Sequence, residues 1–323
     1  MSIVVVGTTF VDKKGFPFDN YIPAGRNAGN VQIIHGGVGR NVAEDIANLE
    51  LRPTYVSMTD ESAEGREVVN RLRNHKVNTD YIVSSPDGMG MWLAVFNETG
   101  DVAGSISKRP NMEPLAEIVE TKGDEIFRDC DSIVIEIDID KNIVKSVFKY
   151  AEKYGKRVYA VVANMSIASE RRDFLQKIDC FVCNVQEAGI LFVEDMEDMS
   201  PEELCESISQ KVIKARIPSM VVTMGSRGAV YADYNGGKGI CPANKVNVRD
   251  TTGAGDAFCA GVAAGLTYNK TLKESVEIGT KLAASVITVS DNVCPRFRPE
   301  ELGIDAGALK RNSNLYGDEE FLK

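Results

Sequence analysis

Residues 250–258 read DTTGAGDAF. Two threonines lead into a Gly-Ala-Gly turn, and an acid follows where the next residues, rich in Ala and Gly, begin a helix. A helix N-terminus carries N–H groups without partners and a partial positive charge. Gly253, Ala254 and Gly255 therefore offer backbone donors to an anion, although no Gly-Lys-Ser/Thr follows as in a Walker loop. Asp256 falls in the first helical turn, where the positive end predicts an ionised carboxylate ready to accept a proton. Asp256 is also a residue type that caps helices. Thr251 and Thr252 are available for that task, so capping alone does not demand the acid.

Around this stretch the chain alternates short apolar runs with helical patterns. IVVVG (3–7), TYVSM (54–58), SIVIEIDI (132–139), RVYAVVA (157–163), CFVCN (180–184) and SMVVTMG (219–225) read as strands. VGRNVAEDIANLE (38–50) places Val38, Val42, Ile46 and Leu49 at helical spacing. Ser62 opens a second helix as its cap, and further helices fall near 141–154, 201–215, 255–267 and 271–289. Buried strands with helical crossovers predict an α/β fold: a central, mostly parallel sheet with helices on both faces.

Two stretches interrupt that alternation. Residues 11–34 are rich in Gly, Pro and Asn, and 89–107 read MGMWLAVFNETGDVAGSIS, with NETG as a hairpin turn between two strands. Together they predict a small antiparallel β-sheet lid inserted into the body. Trp92, the single tryptophan, lies on this hairpin, where it serves lid packing or ligand contact. We expect one domain over 1–303 with these lid segments, and a peripheral tail over 304–323.

The chain has 323 residues, 43% of them apolar, enough for a sizeable core. A formal net charge of -10 repels nucleic-acid phosphates, which argues against a nucleic-acid partner. A phosphorylated ligand would need local attraction from oriented N–H groups or a metal ion. No apolar run approaches the roughly 20 residues of a membrane helix, and MSIVVVG does not read as a secretion signal, so a cytoplasmic protein with reduced thiols is expected. Cys180 and Cys183 form a C-x-x-C, but three residues apart on a strand they face opposite ways and read as structural thiols. With only His35 and His75, histidine-rich zinc chemistry is not expected, and His75 reads as a surface residue at a helix end.

A second glycine cluster, HGGVGRNVAED (35–45), precedes the first helix. It fits the dinucleotide fingerprint poorly, since Val42 stands where Gly or Ala belongs, and a tight turn opening a helix explains its glycines without a ligand. Gly7-Thr8-Thr9 after the first strand likewise offers no nicotinamide fingerprint. Asn41 is more informative, because an amide in the first helical turn can hold a hydroxyl-rich ligand.

These residues carry a resemblance. DTTGAGDAFCAG is similar to the C-terminal signature of the ribokinase, or PfkB, carbohydrate kinase family. HGGVGRNVA resembles its N-terminal signature, NVQE (184–187) its N-x-x-E motif, and TMGSRG (223–228) its nucleotide-contact turn. The resemblance implies the ribokinase-like α/β fold with a β-lid, and transfer of the γ-phosphoryl group of ATP to an alcohol. By residue, it implies Asp256 as catalytic base and Gly253, Ala254 and Gly255 as anion hole. Asn184 and Glu187 would organise phosphate and Mg2+, while Thr223, Gly225 and Gly228 would contact the nucleotide. Asp12, Gly37 and Asn41 would bind acceptor hydroxyls, and Asp250 and Thr252 would hold a monovalent cation, K+. It also implies a homodimer through the lid.

Within the family, GGVGRNVAEDIANL resembles pseudouridine kinases more than ribokinases, which carry Gly-Lys-Gly-Ala-Asn. This implies a nucleoside or sugar acceptor, with pseudouridine leading. SKRPNM (107–112) departs from that group, which has an acid after the serine. Lys108 and Arg109 would either meet an already phosphorylated sugar or form a solvated lid edge, and Arg40 is a further charge beside the acceptor motif. A regulator that keeps the fold without catalysis is the competing class.

Overall fold

In the computed structural model, which describes residues 2–305, the apolar runs assemble into a nine-stranded sheet. β1 (Ile3–Val6) lies between β4 (Thr54–Thr59) and β8 (Ser132–Glu136), all parallel. The parallel set extends on one side to β5 (Ile82–Ser84). On the other it extends through β9 (Arg157–Val161) and β10 (Cys180–Asn184) to β11 (Ser219–Thr223). Two antiparallel strands, β12 (Ala229–Asp233) and β13 (Lys238–Cys241), close that edge. The alternation of side chains divides the core into two layers. Val4, Val6, Ile133, Ile135 and Cys183 pack in one cluster, and Ile3, Val5, Val134, Cys180 and Val182 in the other. Cys180 and Cys183 thus face opposite sides of the sheet, as their spacing requires.

Helices cover both faces. α1 (Val38–Asn48) and α8 (Ala254–Thr267) pack together on one side, with α9 (Leu272–Val286) against α8. α2 (Ala63–Asn74) begins at Ser62, whose hydroxyl accepts from Gly65 N at 3.0 Å. On the other face, α3 (Glu113–Phe127) packs on α4 (Lys141–Tyr154). After α5 (Met165–Ala168) and β10 come α6 (Val185–Phe192) and α7 (Pro201–Ala215). No helix among the described residues is long and apolar enough to cross a membrane. Residues 306–323 of the expected tail lie outside the described residues.

A separate four-stranded sheet stands over the C-terminal ends of β1 and β8. Its order is β3 (Gly29–Gly36), β2 (Phe10–Pro17), β6 (Gly90–Phe96) and β7 (Val102–Lys108). The NETG stretch turns β6 into β7, with Gly100 N donating to Asn97 O at 3.1 Å. The lid is not wholly antiparallel as its sequence suggested: β2 and β6 run parallel. These strands come from distant insertions that both leave the body at the same end of its sheet, so they enter the lid in the same direction. A further difference lies at residues 132–139, where the strand stops at Glu136. Asp138 turns aside and accepts from Ala163 N at 2.9 Å, which carries its carboxylate out of the ladder.

Candidate functional site

The turn before α8 is a wall between two cavities. Thr252, Gly253 and Asp256 line one of about 330 Å³ beneath the lid, while Thr251, Ala254 and Gly255 line another of about 650 Å³ on the far side. Gly253 is the N-cap residue, with φ 81°, a conformation that L side chains rarely adopt, and a Cβ there would drive into the carbonyl of Asn292. No side chain caps this helix. Asp256 instead projects toward the lid side, and its Oδ2 accepts from Asn41 Nδ2 at 2.6 Å. Its capping role is thereby excluded; within the turn, Ala254 N donates to Thr251 O at 3.3 Å.

The expectation that the helix end keeps Asp256 in its ordinary acidic range is corrected here. Although Asp256 borders the cavity, its carboxyl sits deep among protein atoms, and this desolvation outweighs the Asn41 hydrogen bond and the Arg40 charge. Its pKa rises from 3.8 to about 7.

The lid-side cavity gathers residues from every part of the chain. α1 supplies Asn41, with Gly37 as its N-cap. The lid supplies Phe10, Asp12, Trp92 and Ser107, and the register Asp12–Trp92–Ser107 makes the last three one cross-strand row. Burial raises the Asp12 pKa, against the pull of Lys14 and Arg40. Trp92 both packs and lines the cavity. It meets Phe96 edge-on at 6.4 Å, and Lys14 Nζ lies 5.8 Å from its ring centroid. The two lid-edge cations separate: Arg109 lines the cavity, whereas Lys108 donates to Asp87 O on the rim.

The sequence reading missed Glu136 and Asp138, two acids ending an otherwise apolar strand. That position was their available signal, because buried carboxylates need a reason. Glu136 is fixed by Thr8, whose N donates to Oε2 at 2.8 Å and whose hydroxyl donates to Oε1 at 2.9 Å. Gly39 N adds a third donor at 3.3 Å. The helix can come this close because Gly7 and Gly39 lack side chains: a Cβ on Gly7 would stand 2.8 Å from both Glu136 Oε2 and Gly39 Cα. Burial and mutual repulsion raise Glu136, and burial raises Asp138, for which Arg109 supplies the nearby countercharge. Asn164 and Asn292, also unforeseen, line the same cavity.

The remaining expected residues lie elsewhere. Thr223, Gly225 and Gly228 line the larger cavity, with Val246, Val248 and Phe258. Asn184 and Glu187 form the capping box of α6, with Glu187 N donating to Asn184 Oδ1 at 2.8 Å and Asn184 N donating to Glu187 Oε2 at 2.7 Å. Burial, and beyond it the charge of Asp138, raise Glu187, and its own charge is felt at Asp256. Asp250 turns onto Thr252 N at 2.8 Å. Burial pushes its pKa up, but hydrogen bonds from Thr252 and the Lys14 charge bring it below its ordinary value. Arg40 is wholly buried and paired to Glu44 at 2.6 Å. His75 is not a bare surface group: its Nδ1 lies 2.7 Å from Asn48 Oδ1.

Comparison with known proteins bears on the fold and the family. The family model for pfkB family carbohydrate kinases matches residues 1–293. A guanosine-inosine kinase from Exiguobacterium acetylicum is 32% identical over 292 residues, covering 90% of this chain and 95% of its own. A pseudouridine kinase from Escherichia coli K12 is 25% identical over 276 residues, 85% of this chain and 86% of its own. The structure of Arabidopsis thaliana ribokinase complexed with ribose and ATP superposes with a TM-score of 0.82 at 23% identity, over 93% of this chain and 97% of that one. A ribokinase-like body, a lid, and two cavities divided by a glycine turn with an acid behind it lead to one family: the chain belongs to the pfkB carbohydrate kinases and is a phosphotransferase.

Proposed function

We propose that the chain transfers the γ-phosphoryl group of ATP to the primary hydroxyl of a nucleoside. The carrying observation is the shared wall. ATP in the larger cavity would bring its terminal phosphate to the amides of Gly253, Ala254 and Gly255, while the acceptor beneath the lid would present its alcohol to Asp256. The alcohol oxygen bonds to the γ-phosphorus as the bond to the β-phosphate oxygen breaks. ADP leaves, and the proton passes to Asp256. Because such transition states are loose, the protein contributes mainly position and charge stabilisation. A base with pKa about 7 is better matched to that proton than an ordinary aspartate, and closure of the lid excludes water as a rival acceptor.

Mg2+ would neutralise phosphate charge as transfer proceeds. Among the described residues no three acids, thiols or imidazoles converge to cage a metal ion. This suits a magnesium ion that keeps waters and takes most of its ligands from the nucleotide, with Glu187 and Asn184 organising that shell. Asp250 and Thr252, side by side before the turn, remain our assignment for a monovalent cation.

For the acceptor, the row Asp12–Trp92–Ser107 combines a carboxylate for sugar hydroxyls with an aromatic face for a base, which supports a nucleoside over a free sugar. Pseudouridine leads on sequence. The 32% identity to a guanosine-inosine kinase favours a purine nucleoside instead, and we take inosine or guanosine as the first acceptor to try. Coupled ADP release should be measured with Mg-ATP and guanosine, inosine, adenosine, pseudouridine, uridine, ribose and fructose phosphates. Turnover restricted to a sugar phosphate would overturn the nucleoside reading and assign Arg109 to that phosphate. Binding without turnover for every compound would return the chain to the regulator class.

A homodimer through the lid belongs to the same reading. On the lid face opposite the cavity, Ile33, Leu93 and Ile106 form a cross-strand row with Lys13, and are 55%, 44% and 70% exposed. The seven free thiols, all buried, are in keeping with a cytoplasmic setting.

A further inference from the structure

Asp256 is joined to a line of buried polar groups whose directions are all determined. Arg40, on α1, has no exposed surface, and its guanidinium can only donate. Its Nη1 bonds Glu44 Oε2 at 2.6 Å, and its Nη2 bonds His35 O and, at 3.1 Å, the side chain of Asn292. The atom that Asn292 turns to Arg40 must therefore be its oxygen. Its nitrogen then faces the other way, 2.7 Å from His35 O and 3.3 Å from the side chain of Asn41. A backbone carbonyl only accepts, so both ends of the Asn292 amide are fixed independently. Asn41 must then offer oxygen to Asn292, and this leaves its nitrogen for Asp256 Oδ2 at 2.6 Å. Each amide has one satisfactory orientation, because a flip would set donor against donor in a buried site. The backbone carbonyl of Asn292 also abuts Gly253, so the same residue leans on the turn itself.

We propose that Asn292 is a positioning residue of the phosphotransfer site: it holds the Asn41 amide so that nitrogen, not oxygen, meets Asp256. This rests on the reading of Asp256 as the proton acceptor. Without Asn292, the Asn41 amide is free to rotate, and Asp256 loses both a fixed rotamer and a donor to its ionised form.

The experiment separates this role from simple bracing of Arg40. Asn292→Asp keeps the acceptor for Arg40 but has no donor for Asn41 or for His35 O, whereas Asn292→Ala loses all three contacts. Positioning predicts that both variants lower kcat/KM, for the nucleoside with the highest turnover in the panel above, by about 10- to 100-fold. ATP affinity should hold within about twofold, because the relay reaches only the lid-side cavity. An Asn292→Asp variant near wild type would overturn the proposal. In an Asn41→Ala background neither change should cost anything further, and a full additional loss would also overturn it.

A readout independent of turnover is the 13C-carboxyl titration of Asp256 in the full chain, assigned with Asp256→Asn. Arg40 of α1 and Glu187 of α6 act on this carboxyl, whose own charge is felt at Asp45 of α1 and Cys259 of α8, and all four remain in Asn292→Ala. The midpoint should rise in that variant, since a donor to the ionised form is lost. An unmoved midpoint would overturn the relay. If no compound in the panel is phosphorylated, the proposed function falls, while this titration still decides the role of Asn292.

Discussion

The two cavities on either side of the α8 turn are built by different means. The larger one is lined mainly by small and aliphatic residues, among them Gly225, Gly228, Ala243, Val246, Val248 and Ala284, with Arg227, Asn244 and Lys245 as its long polar side chains. The lid-side cavity is walled by carboxylates and amides from distant parts of the chain, among them Asp12, Asn41, Glu136, Asp138 and Asn292. The difference follows from the ligands we assign. A phosphate chain is held by amides at a helix end, which any sequence can supply if side chains stay out of the way. A sugar alcohol needs acceptors of defined direction and a base whose proton affinity is tuned by burial, and these need particular residues.

The comparison is broken most directly at Asp256. Asp256→Asn should lower kcat by about 10³- to 10⁴-fold while binding of ATP and acceptor persists, because a general base is lost and the cavity keeps its shape. Turnover above about a tenth of wild type would remove the base assignment. The same variant has a stability signature. The carboxyl ionises near 3.8 when unfolded and about 7 when folded, so the folded state holds the extra proton between those values. Stability therefore falls as pH rises across that window, and the loss persists above it. Asp256→Asn should melt at least about 2 °C above wild type at pH 8, an advantage that fades near pH 4 in thermal melts.

On the other side of the wall, Gly253→Ala should cost about 10²- to 10³-fold in kcat, since it strains a left-handed turn and displaces the amides aimed at the phosphate. An unaffected kcat would mean that the turn is structural only. A smaller effect should confine itself to one cavity. Trp92→Ala should raise the acceptor KM about 10-fold, by loss of a stacking face, with the ATP KM unchanged. Equal changes in both KM values would show that the lid serves the two sites together.

The pH profile sharpens the contrast further. With wild type, kcat/KM for the acceptor should rise with pH and reach half its plateau near pH 7, because only ionised Asp256 accepts the proton. In contrast, ATP binding measured by calorimetry should show no midpoint there. Leu93→Glu with Ile106→Glu should have the least effect on chemistry and act on assembly. The proposed lid dimer predicts that light scattering finds a dimer for wild type and a monomer for the double variant; a monomeric wild type would remove the dimer, and a dimer that survives both changes would place the interface away from the lid.

The strand periods of β1, β4 and β8 to β11, and the amphipathic spacing of α1, are local properties, so the residues carried the fold class. The glycine turn with its acid was legible for the same reason, since 250–256 are contiguous and their backbone chemistry travels with them. What only the tertiary structure decided is how distant groups meet. Nothing near Glu136 in sequence says that Thr8 and Gly39 will cradle it, and nothing near Asn292 says that Arg40 will fix its amide. The protonation of Asp256 was likewise misjudged from local sequence, because the helix end is a local field whereas desolvation is the work of every element packed around it. Even the parallel pairing of β2 and β6 depends on where two insertions leave the body, a relation of position in space that no single stretch of residues encodes.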